Sequence, residues 1–311
     1  NIRVAWNLLH LHAKYHFDVI EFANWEVEGL ILALISLLFR LRIKIICRLH
    51  TGTYDVEYYY NTISLSIRAI HFMERSFINL PNVFLTTSTK AHARHSRIRY
   101  HIANKKISII PLGVLPHKFS VEKKKKIAIT YESNIVFVGR IERRKGISTL
   151  VEAIPYVLNQ HPNAIFYIIG EGSSIDIFSL IHKFIPTVFL SRVRYQGYIA
   201  SQARLNYFYK SAEICIFPSL YESFGLTIIE AMSYAKPIIA SRIGGIPEII
   251  THGVNGILIP PNHPKLLANA INMLLSDAKL RNQLSLAAFS TIQKRFSLDR
   301  MYRKTEAFYA K

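Results

Sequence analysis

Short runs of β-branched and other apolar residues alternate along the chain with segments of helical period. This alternation is typical of parallel sheets covered by helices. The predicted strands are 17–22, 42–50, 83–88, 106–114, 135–139, 164–170, 193–198, 213–218, 236–241 and 256–260. The predicted helices are 28–41, 65–78, 147–158, 202–210, 227–234 and those from 264 to the end. The pattern therefore predicts an α/β fold.

A polar and charged stretch interrupts the pattern before residue 135, and it includes the lysine run 123–126. Such a shift in composition is typical of a boundary between domains. We predict a first Rossmann-like domain over 1–120, a linker over 121–134 and a second Rossmann-like domain over 135–296. The 311 residues are enough for two domains, each with its own core. We expect a cleft between them, where such folds bind ligands.

Composition and charge narrow the function classes. The formal charge of +19, from 39 Lys plus Arg against 20 Asp plus Glu, predicts attraction to polyanions. Zinc-finger spacing and RNA-binding signatures are missing from the sequence, so we favour an anionic membrane surface plus a diphosphate over nucleic acid. The longest apolar stretch, 30–39, is shorter than the ~20 residues that span a bilayer. Cys47 and Cys215 lie in apolar, β-like runs, which predicts core thiols in a reducing compartment.

Candidate chemistry follows the strands of the second half, because parallel sheets bind ligands beyond the carboxyl ends of their strands. The strand 135–139 ends at Gly139, and Arg140, Lys145 and Gly146 follow it. Arg engages phosphate oxygens as a fork and Lys acts as a point charge, so the loop fits a diphosphate. A basic surface loop is an equally good interpretation of this segment alone.

A second loop follows 213–218 and carries Glu222, Phe224 and Gly225 ahead of a helix with Glu230. Gly225 allows close approach of the backbone to a ligand, and free amides at the helix start can meet a phosphate or sugar oxygen. Glu230 alone could serve only the helix dipole. Glycines of a third segment, 243–256, are more often turns than ligand cradles.

Several ordered motifs carry a family resemblance: FVGRIERRKG, IIGEG, PSLYESFGLTIIEAMSYAKPIIAS, RIGGIPEII and THGVNGILIPP. From about residue 135 to 277 the chain resembles the family 4 glycosyltransferases. These are retaining enzymes of the GT-B fold that use UDP-, GDP- or ADP-activated sugars. The resemblance implies two Rossmann-like domains whose parallel sheets face each other across a cleft. It also implies that the second domain binds the nucleotide sugar and the first the acceptor.

The resemblance also implies roles for matching residues. Arg140 and Lys145 would neutralise the donor diphosphate, Glu230 would bond the ribose, and Glu222 would lie near the transferred sugar. Catalytic roles are implied for His50, Arg140, Lys145 and Glu222. The implied donor-binding set is Gly139, Arg140, Lys145, Gly170, Glu171, Gly197, Tyr198, Glu222, Phe224, Gly225, Leu226 and Glu230.

The first half matches the family less closely. His50, in CRLHTG, resembles the family's strand-end histidine that faces the acceptor, although a structural histidine is an alternative. The segment with Glu21, Asn24 and Trp25 lies where the family lines its acceptor site. We expect the first domain to lack its first strands, because the family's initial strand and Gly-rich loop have no counterpart here. Residues 297–311 resemble the final helix that crosses back to the first domain.

No Asp-x-Asp pair occurs in the sequence, so we predict a metal-independent reaction with no cofactor. The predicted donor is a UDP or GDP sugar, the predicted acceptor a glycan or lipid-linked molecule, and the predicted location the cytoplasm, at the inner face of the membrane. One alternative is a protein that binds nucleotide sugars without catalysis. A second is a Rossmann oxidoreductase, suggested by Gly170 and Gly172, although Ile175 replaces the third glycine of the dinucleotide motif. A third is a basic nucleic-acid binder.

Overall fold

The computed structural model describes residues 2–52, 64–117, 133–172 and 174–310. Residues 121–132 of the predicted linker, with the lysine run, lie outside the described residues. The chain divides into two compact units. The first comprises Asn1–Pro111 together with Tyr302–Lys311, and the second comprises Leu112–Met301.

The first unit is built on four parallel strands that are hydrogen-bonded in the order of the chain. Most of the second strand is buried, which fits a parallel sheet covered on both faces. The strands are β1 Val19–Ala23, β2 Lys44–Leu49, β3 Val83–Thr87 and β4 Ile107–Ile109. The helices are α1 Ile2–Tyr15, α2 Leu30–Phe39, α3 Leu65–Asn79 and α4 Lys90–Tyr100, with a 3₁₀ turn at Trp25–Val27.

Local signals set the ends of these helices. Ser64 and Thr89 accept backbone N–H groups at the starts of α3 and α4, as good N-caps do. Arg40 ends α2 in a left-handed conformation. β4 is shorter than the predicted strand 106–114, because Pro111 has no N–H to continue the ladder.

The second unit contains a six-stranded parallel sheet in the order β7–β6–β5–β8–β9–β10. Its strands are β5 Ser133–Val138, β6 Ala164–Ile169, β7 Val193–Gly197, β8 Ile214–Phe217, β9 Ile238–Ser241 and β10 Ile257–Ile259. Its helices are α5 Ile147–Leu158, α6 Ile177–Phe184, α7 Gln202–Ser211, α8 Leu226–Ser233, α9 Ile246–Ile249, α10 Pro264–Ser276 and α11 Ala278–Arg295. The order of the strands reverses between β5 and β8, which is the topological switch point of a doubly wound sheet.

Apolar residues cover both faces of this sheet. Ile135 and Phe137 of β5 belong to one core cluster, and Val136 between them belongs to the other. Successive side chains of a strand point to opposite faces, so a continuous apolar run serves two cores. Cys215 on β8 and Cys47 on β2 are fully buried free thiols, as the sequence predicted.

The last helix, α12 Leu298–Tyr309, begins in the second unit and ends within the first. The Nζ of Lys44 donates to the carbonyl oxygens of Phe308 at 2.8 Å and Tyr309 at 3.2 Å. A cation at a helix C-terminus satisfies carbonyls that have no partner within the helix. Among the described residues, every helix is too short or too polar to cross a bilayer.

Candidate functional site

Two loops meet beyond the carboxyl ends of β5 and β8. The carbonyl oxygen of Arg144 accepts the backbone N–H groups of Leu220 at 2.8 Å and Tyr221 at 3.3 Å. Gly146 has φ of +69°, and a Cβ atom there would lie 1.8 Å from the carbonyl oxygen of Pro218. Only glycine fits this position, so the loops 139–146 and 219–225 pack backbone to backbone at the switch point.

Lys145 and Glu222 form an ion pair across these loops. The Lys145 Nζ lies 2.5 Å from Glu222 Oε2, with the side chains 16% and 10% exposed. Burial alone would raise the pKa of the Glu222 carboxyl. The charges of Lys145 and Arg144, with hydrogen bonds from Lys145 and the Phe224 N–H, hold that pKa below its ordinary value of 4.5. Lys145 and Glu222 were both predicted as site residues from the sequence, and the structure brings them together although they are 77 positions apart in the chain.

Arg140 lies on the same loop with its side chain 56% exposed. Its Nη2 is 3.4 Å from Oε1 of Glu142. The same oxygen accepts a hydrogen bond of 2.6 Å from Nη2 of the buried Arg144. Three cations and two carboxylates therefore converge where a doubly wound sheet binds its ligand.

The glycines predicted to lie near the nucleoside end neighbouring strands. The Gly170 N–H donates to the Gly197 carbonyl at 2.9 Å. A Cβ atom on Gly170 would lie 1.9 Å from the carbonyl oxygen of Gly139, and Gly170 has φ of +132°. Glu171 and Tyr198, which follow these strand ends, are exposed. The carboxyl ends of β5, β6 and β7 are thus held close through backbone that excludes side chains.

Helix α8 begins directly after the β8 loop. Gly225 precedes it with φ of +111°, and no described side chain caps the helix start. Leu226 is the first helical residue and is partly exposed. The Phe224 ring is buried against Phe296, so only the backbone of Phe224 can serve a ligand. The arrangement offers main-chain N–H groups to an anion.

Glu230 lies one turn into α8. Its Oε2 accepts a hydrogen bond of 3.0 Å from the Tyr209 hydroxyl. Burial raises the pKa of Glu230 above its ordinary value, and the bond from Tyr209 only partly offsets this. A half-buried carboxylate with unused acceptor capacity suits pairs of hydroxyl groups.

The third glycine segment supports the site through its backbone. The Gly245 N–H donates to the Glu222 carbonyl at 2.9 Å. A Cβ atom on Gly244 would lie 2.0 Å from that same oxygen, and Gly244 has φ of +54°. The sequence prediction treated these glycines as turns and missed their close contact with Glu222. The Gly-Gly pair directly after a buried strand was the signal that could have indicated it.

The predicted residues of the first unit have partners within it. Arg48 donates to both carboxylate oxygens of Glu21, at 2.7 and 3.1 Å. The hydroxyl of Tyr309 donates to Glu21 as well, at 3.0 Å. Glu21 is therefore held by a guanidinium and a phenol.

Asn24 is buried and anchors the end of β2. Its Oδ1 accepts the backbone N–H of His50 at 2.7 Å, and its Nδ2 donates to the Tyr100 hydroxyl at 3.1 Å. The Tyr100 hydroxyl donates in turn to the buried Glu74 at 3.1 Å. The His50 ring is exposed, yet desolvation by the protein around it and then the charge of Arg48 lower the pKa of His50. Trp25 is 37% exposed in the 3₁₀ turn.

Two other features lie outside this constellation. The described residues contain no group of three His, Cys, Asp or Glu side chains that could hold a metal ion. A cavity of about 630 Å³ lies in the second unit against α5 and the start of α10. Its lining includes Glu152, Tyr156, Phe184, His263 and Lys265 and contains none of the predicted site residues.

Comparison with protein families covers almost the whole chain. The family model described as glycosyl transferases group 1 matches residues 120–291. The model described as glycosyltransferase family 4 matches residues 1–118. The chain belongs to the group 1 glycosyltransferases. The predicted resemblance to the family 4 glycosyltransferases is confirmed, since the two models match the two halves of the chain.

A relative agrees with this membership, and solved structures share the fold. An uncharacterized glycosyltransferase of Methanocaldococcus jannaschii is 30% identical over 78% of this chain and 63% of its own length. Sucrose-phosphate synthase from Thermosynechococcus elongatus has a TM-score of 0.79 at 23% identity, over 98% of this chain and 76% of that one. Anabaena HepE in complex with UDP-glucose has a TM-score of 0.75 at 19% identity, over 99% and 82%. With two parallel-sheet α/β units, the group 1 chain has the predicted GT-B fold.

Proposed function

We propose that this protein is a retaining glycosyltransferase. It moves a sugar from a UDP or GDP donor to a glycan or lipid-linked acceptor without a metal ion. The observation that carries the proposal is the ion pair of Lys145 and Glu222 at 2.5 Å, set between two loops at the switch point of the second sheet. HepE, a relative in fold, is described in complex with UDP-glucose.

The chemistry follows from where charge develops. As the bond between the anomeric carbon and the phosphate oxygen breaks, negative charge grows on the diphosphate. Arg140, Lys145 and the N–H groups at the start of α8 stabilise that charge. Fixed cations therefore take the place of a divalent ion.

The two carboxylates have different tasks. Glu230, which Tyr209 holds at 3.0 Å, accepts the ribose hydroxyls. Glu222 gives up its bond to Lys145 as the diphosphate draws the ammonium away, and its freed oxygen then accepts a hydroxyl of the sugar. Removing Glu222 therefore affects the sugar, whereas removing Glu230 affects the nucleoside.

Retention proceeds by attack of the acceptor on the face that the diphosphate leaves, through an oxocarbenium-like transition state. The acceptor proton passes to the departing phosphate oxygen. In this route Glu222 binds a hydroxyl of the sugar and does not attack the anomeric carbon, so no covalent intermediate forms. Trapping of a covalent glycosyl-enzyme with a slow donor, detected by mass spectrometry, would contradict this route.

A lipid-linked acceptor fits the surface of the first unit. Helix α2 exposes Leu34, Leu37 and Leu38, the last at 76%. Arg40 and Arg42 follow and are also exposed. Apolar side chains beside cations are typical of surfaces that bind anionic bilayers from the cytoplasmic side. We expect the protein to sediment with vesicles containing phosphatidylglycerol and to remain in solution with phosphatidylcholine alone.

A screen of nucleotide sugars tests the donor. A donor at 100 times its Kd stabilises the folded state by about 2.7 kcal/mol, which raises the unfolding temperature measurably. Stabilisation with turnover supports the transferase. Stabilisation without turnover supports the alternative of a nucleotide-sugar-binding protein, and no stabilisation by any UDP or GDP sugar refutes both.

A further inference from the structure

An arginine is buried in the basic loop of the site. Arg144 stands in the run Arg143-Arg144-Lys145, yet its side chain is 5% exposed. Its Nη2 lies 2.6 Å from Oε1 of Glu142, whose side chain is 3% exposed. Burying two charges carries a large desolvation cost, which makes this pair a weak source of stability. Its presence in a loop therefore invites another explanation.

Glu142 serves two arginines with one oxygen. Oε1 accepts the buried Arg144 at 2.6 Å and lies 3.4 Å from Nη2 of the exposed Arg140. Because Arg144 fixes this carboxylate, the carboxylate in turn restrains the head group of Arg140. An unrestrained arginine would lose rotamer entropy on ordering around a phosphate.

The backbone of Arg144 joins the second loop. Its carbonyl accepts the N–H groups of Leu220 and Tyr221, the two residues that precede Glu222, and Glu222 in turn bonds to Lys145. Lys145 follows Arg144 directly in the chain, so the burial of Arg144 also sets where the Lys145 stem starts. The Nε of Arg144 has no hydrogen-bond partner among the described residues.

We propose that the buried pair of Glu142 and Arg144 is a positioning device that preorganises Arg140 and Lys145 for the donor diphosphate. Neither member of the pair touches the donor in this assignment. The inference rests on the proposed function, since it needs a diphosphate to bind. Preorganisation lowers the ordering cost of binding, so the pair strengthens affinity for the diphosphate and not for the nucleoside.

The test replaces the pair by apolar side chains of similar size, Glu142→Leu with Arg144→Met, because such replacements often preserve stability. We expect the Kd for UDP, measured by calorimetry, to rise about tenfold, within the range of coupling in ion-pair networks. The Kd for uridine, measured by NMR titration, stays unchanged. Arg143→Met is the matched control, since it removes an exposed charge of the same loop and leaves the Kd for UDP within about twofold.

Different outcomes would contradict the positioning role of the pair and the proposed function. Unchanged UDP affinity in the double variant, or an equal loss for UDP and uridine, overturns the positioning role. Failure of the wild-type chain to bind UDP or GDP overturns the proposed function instead. Should the double variant not fold, Glu142→Gln keeps the shape of the side chain but removes the negative charge that holds both guanidinium groups, and an unchanged UDP Kd in that variant overturns the inference.

Discussion

The two units treat the residues at their strand ends differently. In the second, strand order reverses between β5 and β8, and the loops that follow these strands meet around Lys145 and Glu222. In the first, the described strands run in chain order, and both Glu21 within β1 and Asn24 directly after it are bonded by side chains of that unit, those of Arg48, Tyr309 and Tyr100. A polar residue after a strand is therefore weak evidence for a ligand. A reversal of strand order beside it makes the evidence strong.

Loss of the central cation should have the largest effect. We expect Lys145→Ala to lower kcat/KM for sugar transfer by about 10²–10³-fold and to weaken UDP binding, because the ammonium stabilises the leaving diphosphate in the proposed mechanism. Steady-state kinetics and calorimetry measure both quantities. Lys183→Ala removes an exposed lysine of α6 and serves as the control. If the two variants have the same kcat/KM and the same UDP affinity, Lys145 does not bind the donor.

A histidine of the first unit gives the contrasting pattern. We expect His50→Ala to lower kcat about 10–100-fold while the Kd for UDP stays the same, if the residue faces the acceptor as the family resemblance predicts. The pKa of His50 is lowered, so its imidazole is neutral at pH 7 and protonates only below its ordinary value of 6.5. Activity that needs the neutral ring should fall in that acid range. A change in UDP affinity would contradict the division of tasks.

Replacing one glycine in each unit tests how closely the surrounding atoms pack against its backbone. Gly244→Ala in the second unit places a Cβ atom 2.0 Å from the Glu222 carbonyl at φ of +54°, and backbone must move. Gly29→Ala in the first unit meets side chains only, those of Phe77 and Phe22. We expect the loss in free energy of unfolding to be about 2–4 kcal/mol for Gly244→Ala and about 1–2 kcal/mol for Gly29→Ala. Urea denaturation measures both, and a reversed order would show that backbone contact is not the stricter constraint.

The carboxylate of the central pair should make a smaller contribution that depends on pH. The pKa of Glu222 is lower in the folded protein than its ordinary 4.5. Its ionised form therefore stabilises the fold above pH 4.5, and this stability is lost as the pH falls through the folded pKa. We expect Glu222→Gln to cost about 1–3 kcal/mol at pH 7 and progressively less as the pH falls through the folded pKa of Glu222. A loss that stays the same over the whole acid titration would exclude the ion pair as its source.

Apolar periodicity located much of the second unit. The predicted bounds of the helix 147–158 match α5, because its buried residues recur with helical spacing. By contrast, the sequence reading did not assign α4, which buries His92, Ser96 and Tyr100 where apolar residues are usual. The helix α1, whose only fully buried residue is Ala5, was also missed. Helices that bury small or polar residues carry a weak pattern.

The site shows the same limit. Arg140, Lys145 and Glu222 could be found because each follows a strand and a glycine stands nearby. The burial of Arg144 could not, because its neighbours Arg143 and Lys145 carry the same charge and only the tertiary contacts with Glu142 separate them. A run of like charges conceals which member points inward.

The two free thiols make this chain convenient for site-specific labelling. Burial, the largest effect on both, raises the pKa of Cys215 to about 12 and that of Cys47 well above its usual range. Because thiolates react with maleimides and thiols hardly do, the two native cysteines should take up almost no label. One new surface cysteine in each unit would then accept a pair of fluorophores. Energy transfer between the dyes would follow the separation of the units as UDP is added.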